Sequence, residues 1–206
     1  EDDNLDLTDG NELSPGRYYL EDIRLNGGET LVFNATEGDI TLVVRNYIVL
    51  DEGNFQIEGG DSDGTVRLIV ASEESSGETV QGSGGEPADH FYVQGDSQIT
   101  VENDSSPRFQ VLAPAHFTGA VRASGSDNAR VTGTVVAPTL GDGPGQFIVR
   151  DAELFGSVVT GDFTAENNGQ VHFDHAIIGE ELSFGYGVTL PDYLPLADHR
   201  FALDGP

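Results

Sequence analysis

One short apolar phrase keeps returning along this chain at a near-constant interval. Val111-Leu112-Ala113-Pro114 comes back 24 residues later as Val135-Val136-Ala137-Pro138. Val158-Val159-Thr160-Gly161 follows after 23 more, and Ile177-Ile178-Gly179 after a further 19. Each apolar pair is read as preceded by a small-polar approach ending in glycine: His116-Phe117-Thr118-Gly119, Arg130-Val131-Thr132-Gly133 and Glu153-Leu154-Phe155-Gly156. Recurrence at such an interval marks one unit copied along an axis. The units are short and β-branched, which predicts strands.

Traced backwards, the phrase gives Val44, Val70, Val93, Leu112, Val136, Val159 and Ile178 as successive equivalents, with Leu20 as an earlier one. One winding of a solenoid consumes a near-constant length of chain, and loops absorb the variation. The spacing therefore predicts an all-β parallel β-helix of about seven to eight coils. Parallel strands stack at about 4.8 Å per coil, for a core on the order of 35 Å long. Val70, Val93, Leu112, Val136 and Val159 are expected to form one buried column. A helical period of 3.6 residues wins nowhere.

In chain order, 1–12 is an acidic arm in which Leu5 and Leu7 alternate. The solenoid is expected over 13–190. Strands are predicted at Arg17–Leu25, Thr30–Ala35, Asp39–Arg45, Tyr47–Leu50, Phe55–Glu58, Thr65–Ala71, His90–Val93, Gln98–Val101 and Phe109–Leu112, separated by turns rich in Gly, Asn and Asp. The stretch 72–89 is Ser, Glu and Gly with scarcely an apolar residue, which predicts a surface loop inserted into one coil. Gly141–Gly145 is a shorter polar insertion. Leu182–Leu190 is a last extended run, and 191–206, with three prolines, is a cap or tail.

Several of these stretches resemble a domain of unknown function at the C-terminus of PilX-like pilus-assembly proteins and in related haloarchaeal secreted proteins. The opening is Leu13-Ser14-Pro15-Gly16-Arg17-Tyr18-Tyr19-Leu20 followed by Gly27-Gly28. The middle is Gly53-Asn54-Phe55-Gln56-Ile57, and the later part is Gly133-Thr134-Val135-Val136-Ala137-Pro138 with Gly156-Ser157-Val158-Val159. The close is Val171-His172-Phe173-Asp174, where Phe173 stands in place of a tyrosine. The resemblance covers roughly 13–177, and the chain runs about thirty residues past the usual end. It implies a right-handed parallel β-helix, often carried behind a type IV pilin-like N-terminal segment.

Charge bounds the partners. There are 36 acidic residues against 9 basic ones, for a net charge of −27, and every basic residue is Arg. Such a field repels nucleic acid and anionic lipid. In dilute buffer the compact state repels itself. At 1 M salt the screening length falls to about 3 Å and the penalty largely vanishes, so the composition predicts adaptation to molar salt. No apolar run approaches the length of a membrane span. Cys is absent, which excludes disulfides and thiolate chemistry. Met is also absent, and a chain opening Glu1-Asp2-Asp3 is expected to follow a removed export or anchoring segment.

Candidate chemistry is sparse. His172, Asp174 and His175 are the densest catalytic-type set, but His175 faces away from the other two on a strand, and two ligands do not hold a metal. Asp151, Asp162 and Asp174 recur at half-coil spacing and need not converge. Asp61-Ser62-Asp63-Gly64 opens like a calcium loop, yet its twelfth position is Ser72. Asn34-Ala35-Thr36 and Asn103-Asp104-Ser105 are N-glycosylation sequons, so Asn34 and Asn103 are the expected modified residues. No cofactor is expected. The whole predicts a non-enzymatic structural protein at the cell surface of a halophile, a subunit or tip of a pilus-like filament or surface layer. It would self-associate, or join pilin-like subunits, by strand or end-to-end contacts. The alternatives are a carbohydrate-binding or adhesive module using Tyr18, Tyr47 and Tyr92, or a polysaccharide-active enzyme.

Overall fold

The computed structural model describes residues 12–59, 64–70, 90–113, 117–125, 127–137 and 145–175. They form fifteen strands in one sheet, and every strand pair in it is parallel. The strands are β1 (Glu12–Leu13), β2 (Gly16–Asn26), β3 (Thr30–Asn34), β4 (Ile40–Asp51), β5 (Asn54–Glu58), β6 (Val66–Val70), β7 (Phe91–Gln94), β8 (Gln98–Val101), β9 (Phe109–Leu112), β10 (Thr118–Arg122), β11 (Arg130–Ala137), β12 (Gln146–Arg150), β13 (Glu153–Thr160), β14 (Asp162–Glu166) and β15 (Gln170–Phe173).

The pairing sorts these strands into three stacks that the chain visits in turn. The first stack is β1, β3, β5, β8, the start of β11, the start of β13 and β15. The second is the start of β2, the start of β4, β6, β9, and the ends of β11 and β13. The third is the end of β2, the end of β4, β7, β10, β12 and β14. The result is an all-β, solenoid-like winding. Among the described residues the first stack holds seven strands and the others six each.

Alternation along each strand sends one set of side chains inward. Leu31, Phe55, Ile99, Val131 and Leu154 line up in the first stack. Leu42, Leu68, Val111, Val135 and Val158 do so in the second. Leu25, Leu50, Val93, Val121 and Val149 do so in the third. Six phenylalanines, Phe33, Phe55, Phe91, Phe109, Phe117 and Phe147, are almost wholly buried in the interior. Phe33 meets Phe55 edge-on at 5.1 Å between centroids, and Phe117 stacks on Phe147 at 6.5 Å. Each such ring contributes about 1.5–3 kcal/mol of burial.

The recurring phrase is in register where it is clearest. Val111, Val135 and Val158 pair in sequence, as do Leu112, Val136 and Val159. The single column expected from it is not there. Val93 belongs to the third stack, between Leu50 and Val121. Leu112 pairs with Ile69, one residue before Val70. A shift of one residue turns a side chain to the opposite face. Val70 therefore points into the core. Ile69, Leu112 and Val136 instead form a separate apolar cluster on the outer side of the second stack, flanked by Val43 and Val159. Constant-interval counting failed because the winding from Ile69 to Leu112 takes 43 residues, and Val93 repeats the apolar pattern one face away. The insertion at 72–89, the Gly141–Gly145 insertion apart from Gly145, the arm apart from Glu12, Ile177-Ile178 and everything beyond lie outside the described residues.

Gly133 and Gly156 are paired where β11 and β13 turn from the first stack into the second. A Cβ on Gly156 would stand 1.9 Å from the Gly133 carbonyl oxygen, and one on Gly133 would stand 2.6 Å from the Phe109 ring. Both glycines keep room for close backbone stacking and for that ring. Gly119, the third glycine of the expected set, sits instead in the third stack between Phe91 and Phe147.

Candidate functional site

The residues singled out from sequence are dispersed. His172 stacks on Phe155 at 4.4 Å, and the Arg130 guanidinium lies over the same ring, 4.1 Å from its centroid. His175 meets Phe173 edge-on at 5.8 Å. Asp174 turns to Ser106 and accepts its backbone N–H at 3.1 Å and its hydroxyl at 2.7 Å. Ser106 is fully buried in the 3₁₀ turn Ser106–Arg108, so this carboxylate fastens the first stack to the turn that feeds β9. Asp162 opens β14 in the third stack. Asp151, at the corner after β12, accepts from the Asn167 side chain at 3.0 Å and from the Asn168 N–H at 3.3 Å. Those donors hold its carboxyl below the usual range. The three aspartates are thus tied to three separate parts of the fold. Among the described residues, no three His, Cys, Asp or Glu side chains come together as a metal site. Asp61, Ser62 and Asp63 lie outside the described residues.

The two sequons differ in setting. Asn34 ends β3, and its amide donates to Glu12 at 2.8 Å while its oxygen accepts from the Thr36 hydroxyl at 2.6 Å. Asn103 is exposed in the 3₁₀ turn Glu102–Asp104 with φ at 60°. The tyrosine strip divides. Tyr18 packs against the core and donates its hydroxyl to the Ser14 carbonyl at 2.9 Å. Tyr47 and Tyr92 lie on the outer side of the third stack, where the Arg122 guanidinium is 5.8 Å from the Tyr92 ring centroid.

Two surface features escaped sequence reading. The first is a groove of about 490 Å³ between β5 and β8, bordered by Gln56, Glu58, Thr100 and Glu102 around Ile57 and Val101. Its carboxylates already serve the chain: Glu58 accepts from Gln56 at 3.0 Å and Glu102 from the Gly59 N–H at 2.7 Å. The buried Arg108 side chain lies nearby and donates to the carbonyls of Gly59 and Gly64, joining the two ends of a loop. The groove arises from strands more than forty residues apart, so no local motif announces it.

The second is a difference between the two ends of the winding. In the first coil, Leu20, Ile23 and Leu25 are buried at 7, 0 and 4% exposure. In the last, the inward positions Phe163, Val171 and Phe173 are 42, 41 and 47% exposed. Phe147 and Leu154, one strand earlier in the same ladders, are fully buried. Apart from Tyr19, these three are the large apolar side chains exposed among the described residues. Among the described residues, the last coil thus presents interior-type side chains, and β14 and β15 are the last strands of their stacks.

No helix among the described residues is long and apolar enough to cross a membrane. No curated protein and no solved structure matches the chain. A family model described as a domain of unknown function (DUF7305) matches residues 1–180, ending seven residues after β15, and the chain belongs to that family.

Proposed function

We propose that this protein is a non-enzymatic structural component of an extracellular filament or surface layer in a halophile, built as a right-handed parallel β-helix. It acts as a subunit or as a tip or decorating part of a pilus-like fibre, joined to copies of itself or to pilin-like subunits through strand or end contacts. The observation that supports this reading is the all-parallel strand pairing that links β1 through β15. Strand pairing joins each winding to the next along one axis, so such a stack works as a stiff spacer whose ends serve for joining. The net charge of −27 suits a hydrated exterior in brine, where screening removes the self-repulsion. A link to PilX-like pilus assembly belongs to the same reading. So does glycan attachment at Asn34 and Asn103, with Asn103 the better presented of the two.

Negative-stain microscopy of the native material in molar salt tests this. Regular filaments are expected; isolated particles at all concentrations would refute the assembly role. The adhesive alternative draws support from Tyr92, Arg122 and Tyr47 on one outer face. A glycan array separates it: binding that Tyr92→Ala removes would favour adhesion. Sugar release from acidic or neutral glycans, lost in Asp174→Asn, would favour an enzyme instead.

A further inference from the structure

Gln56, Glu58, Thr100 and Glu102 border the groove of about 490 Å³ between β5 and β8, and Thr36 flanks it. Gln56 and Thr100 pair in register, and both are exposed. Ile57 and Val101, the next pair along the same strands, are buried and line the floor. Small-molecule sites occupy about 300–1,000 Å³, and this groove falls within that range.

The chain itself holds the lining in place. Glu58 accepts from the Gln56 amide at 3.0 Å, and Glu102 accepts from the Gly59 N–H at 2.7 Å. The Thr100 hydroxyl donates to the Phe55 carbonyl at 3.5 Å, and the Thr36 hydroxyl donates to the Asn34 side-chain oxygen at 2.6 Å. A carboxylate offers about four acceptor positions, and a hydroxyl that donates its proton still accepts. The groove is therefore a fixed set of oxygen acceptors beside one amide. A ligand that suits it brings many donors in a small volume.

Charge narrows the class. Two carboxylates at the groove, on a chain of net charge −27, repel uronate, sulfate and phosphate groups. An ammonium ligand would be attracted, but at 1 M salt that attraction is screened beyond about 3 Å, and bulk cations compete for it. Hydrogen bonds from neutral hydroxyls carry no net charge to screen. Neutral sugars hold such hydroxyls on adjacent carbons, where they can meet neighbouring acceptors.

We propose that this groove binds a short neutral oligosaccharide, whose hydroxyls donate to Glu58, Glu102 and Thr100 and accept from the Gln56 amide. The site is separate from the outer face that carries Tyr47 and Tyr92, and it does not depend on the filament role.

Saturation-transfer NMR on the full chain in molar KCl tests this, with mannotriose, cellotriose, tri-N-acetylchitotriose and trigalacturonate as probes. At least one of the neutral trisaccharides is expected to give saturable transfer, and trigalacturonate none. Gln56→Ala and Thr100→Val should each weaken that binding about fivefold, the loss of one hydrogen bond. Thr100→Ser keeps the hydroxyl and should hold affinity within about twofold. Both positions are exposed, so the β circular dichroism of these variants should match the wild type. Tyr92→Ala should leave binding unchanged. The proposal is overturned by no transfer to any neutral probe, or by equal transfer to trigalacturonate. It is overturned as well if Tyr92→Ala removes the binding while Gln56→Ala spares it. Displacement of the sugar by equimolar spermidine would assign the groove to a cation and overturn it too.

Discussion

The carboxylate of Asp174 binds both the backbone N–H and the hydroxyl of Ser106, 68 residues earlier in the chain. A hydrogen bond to an ionised group contributes about 1.5–3 kcal/mol, and here the donors are buried. Asp174→Ala is therefore expected to destabilise the fold by about 2–3 kcal/mol, read as a lower midpoint in a chemical denaturation curve. Asp174→Asn keeps one acceptor oxygen and should lose less. Equal stability for all three proteins would contradict the fastening role.

Gly156 has φ at 143° and faces the Gly133 carbonyl with no room for a methyl group. Gly156→Ala combines a steric clash with backbone strain. It should cost about 3 kcal/mol or more. Gly125, with φ at 66° and open space around it, is the control. Gly125→Ala carries only the strain of the left-handed region, about 1 kcal/mol. Thermal melts of the two variants side by side give the comparison, and similar losses would refute the packing account.

Salt should decide stability over a wide range. The screening length shortens from about 10 Å at 0.1 M to about 3 Å at 1 M. With 36 acids on 206 residues, the melting temperature is expected to climb steadily with KCl, and dialysis into dilute buffer should erase the β circular dichroism. A melting temperature flat from 0.1 to 2 M would remove the electrostatic argument.

Asp39 offers a titration with a definite sign. Partial burial pushes its carboxyl up, but the Thr65 N–H at 2.8 Å and the Arg67 guanidinium at 2.8 Å outweigh that and hold it below the ordinary value of 3.8. A depressed folded-state pKa stabilises the protein above the unfolded value, and the benefit fades as pH falls through the folded one. The stability gap between wild type and Asp39→Asn should thus be full above about pH 4.5 and should close on acidification below 3.8. Denaturation midpoints across that interval check it; a gap independent of pH would point to lost packing instead.

Much of the winding could be read from residue order because its signal is local and periodic. Gln98–Val101 and Phe109–Leu112 have the expected bounds, and the Val111, Val135 and Val158 register follows directly from the repeated phrase. β4 was harder. Two strands were expected on either side of Asn46, but one continuous strand runs from Ile40 to Asp51. Its backbone stays in the parallel ladder through a bulge, and the Asn46 amide donates to Asp22 on β2 at 2.9 Å. Polar residues at a bend thus mimic a chain break. Val93 misled for a different reason: inward positions on different faces carry the same apolar types, so composition alone does not say which face a residue occupies. Neither the Asp174–Ser106 fastening nor the groove beside Glu102 has a signature along the chain, because each joins residues that only the stacking brings together.

The segment between Ile69 and Leu112 is nearly twice as long as its neighbours, yet the two residues remain in register and the outer apolar cluster stays continuous. Corner length and ladder alignment are therefore decoupled in this protein. Foreign sequence grafted between Val70 and His90 should leave Ile69 opposite Leu112. That makes this corner a natural port for displaying peptides, epitopes or whole guest modules on a stacked parallel carrier.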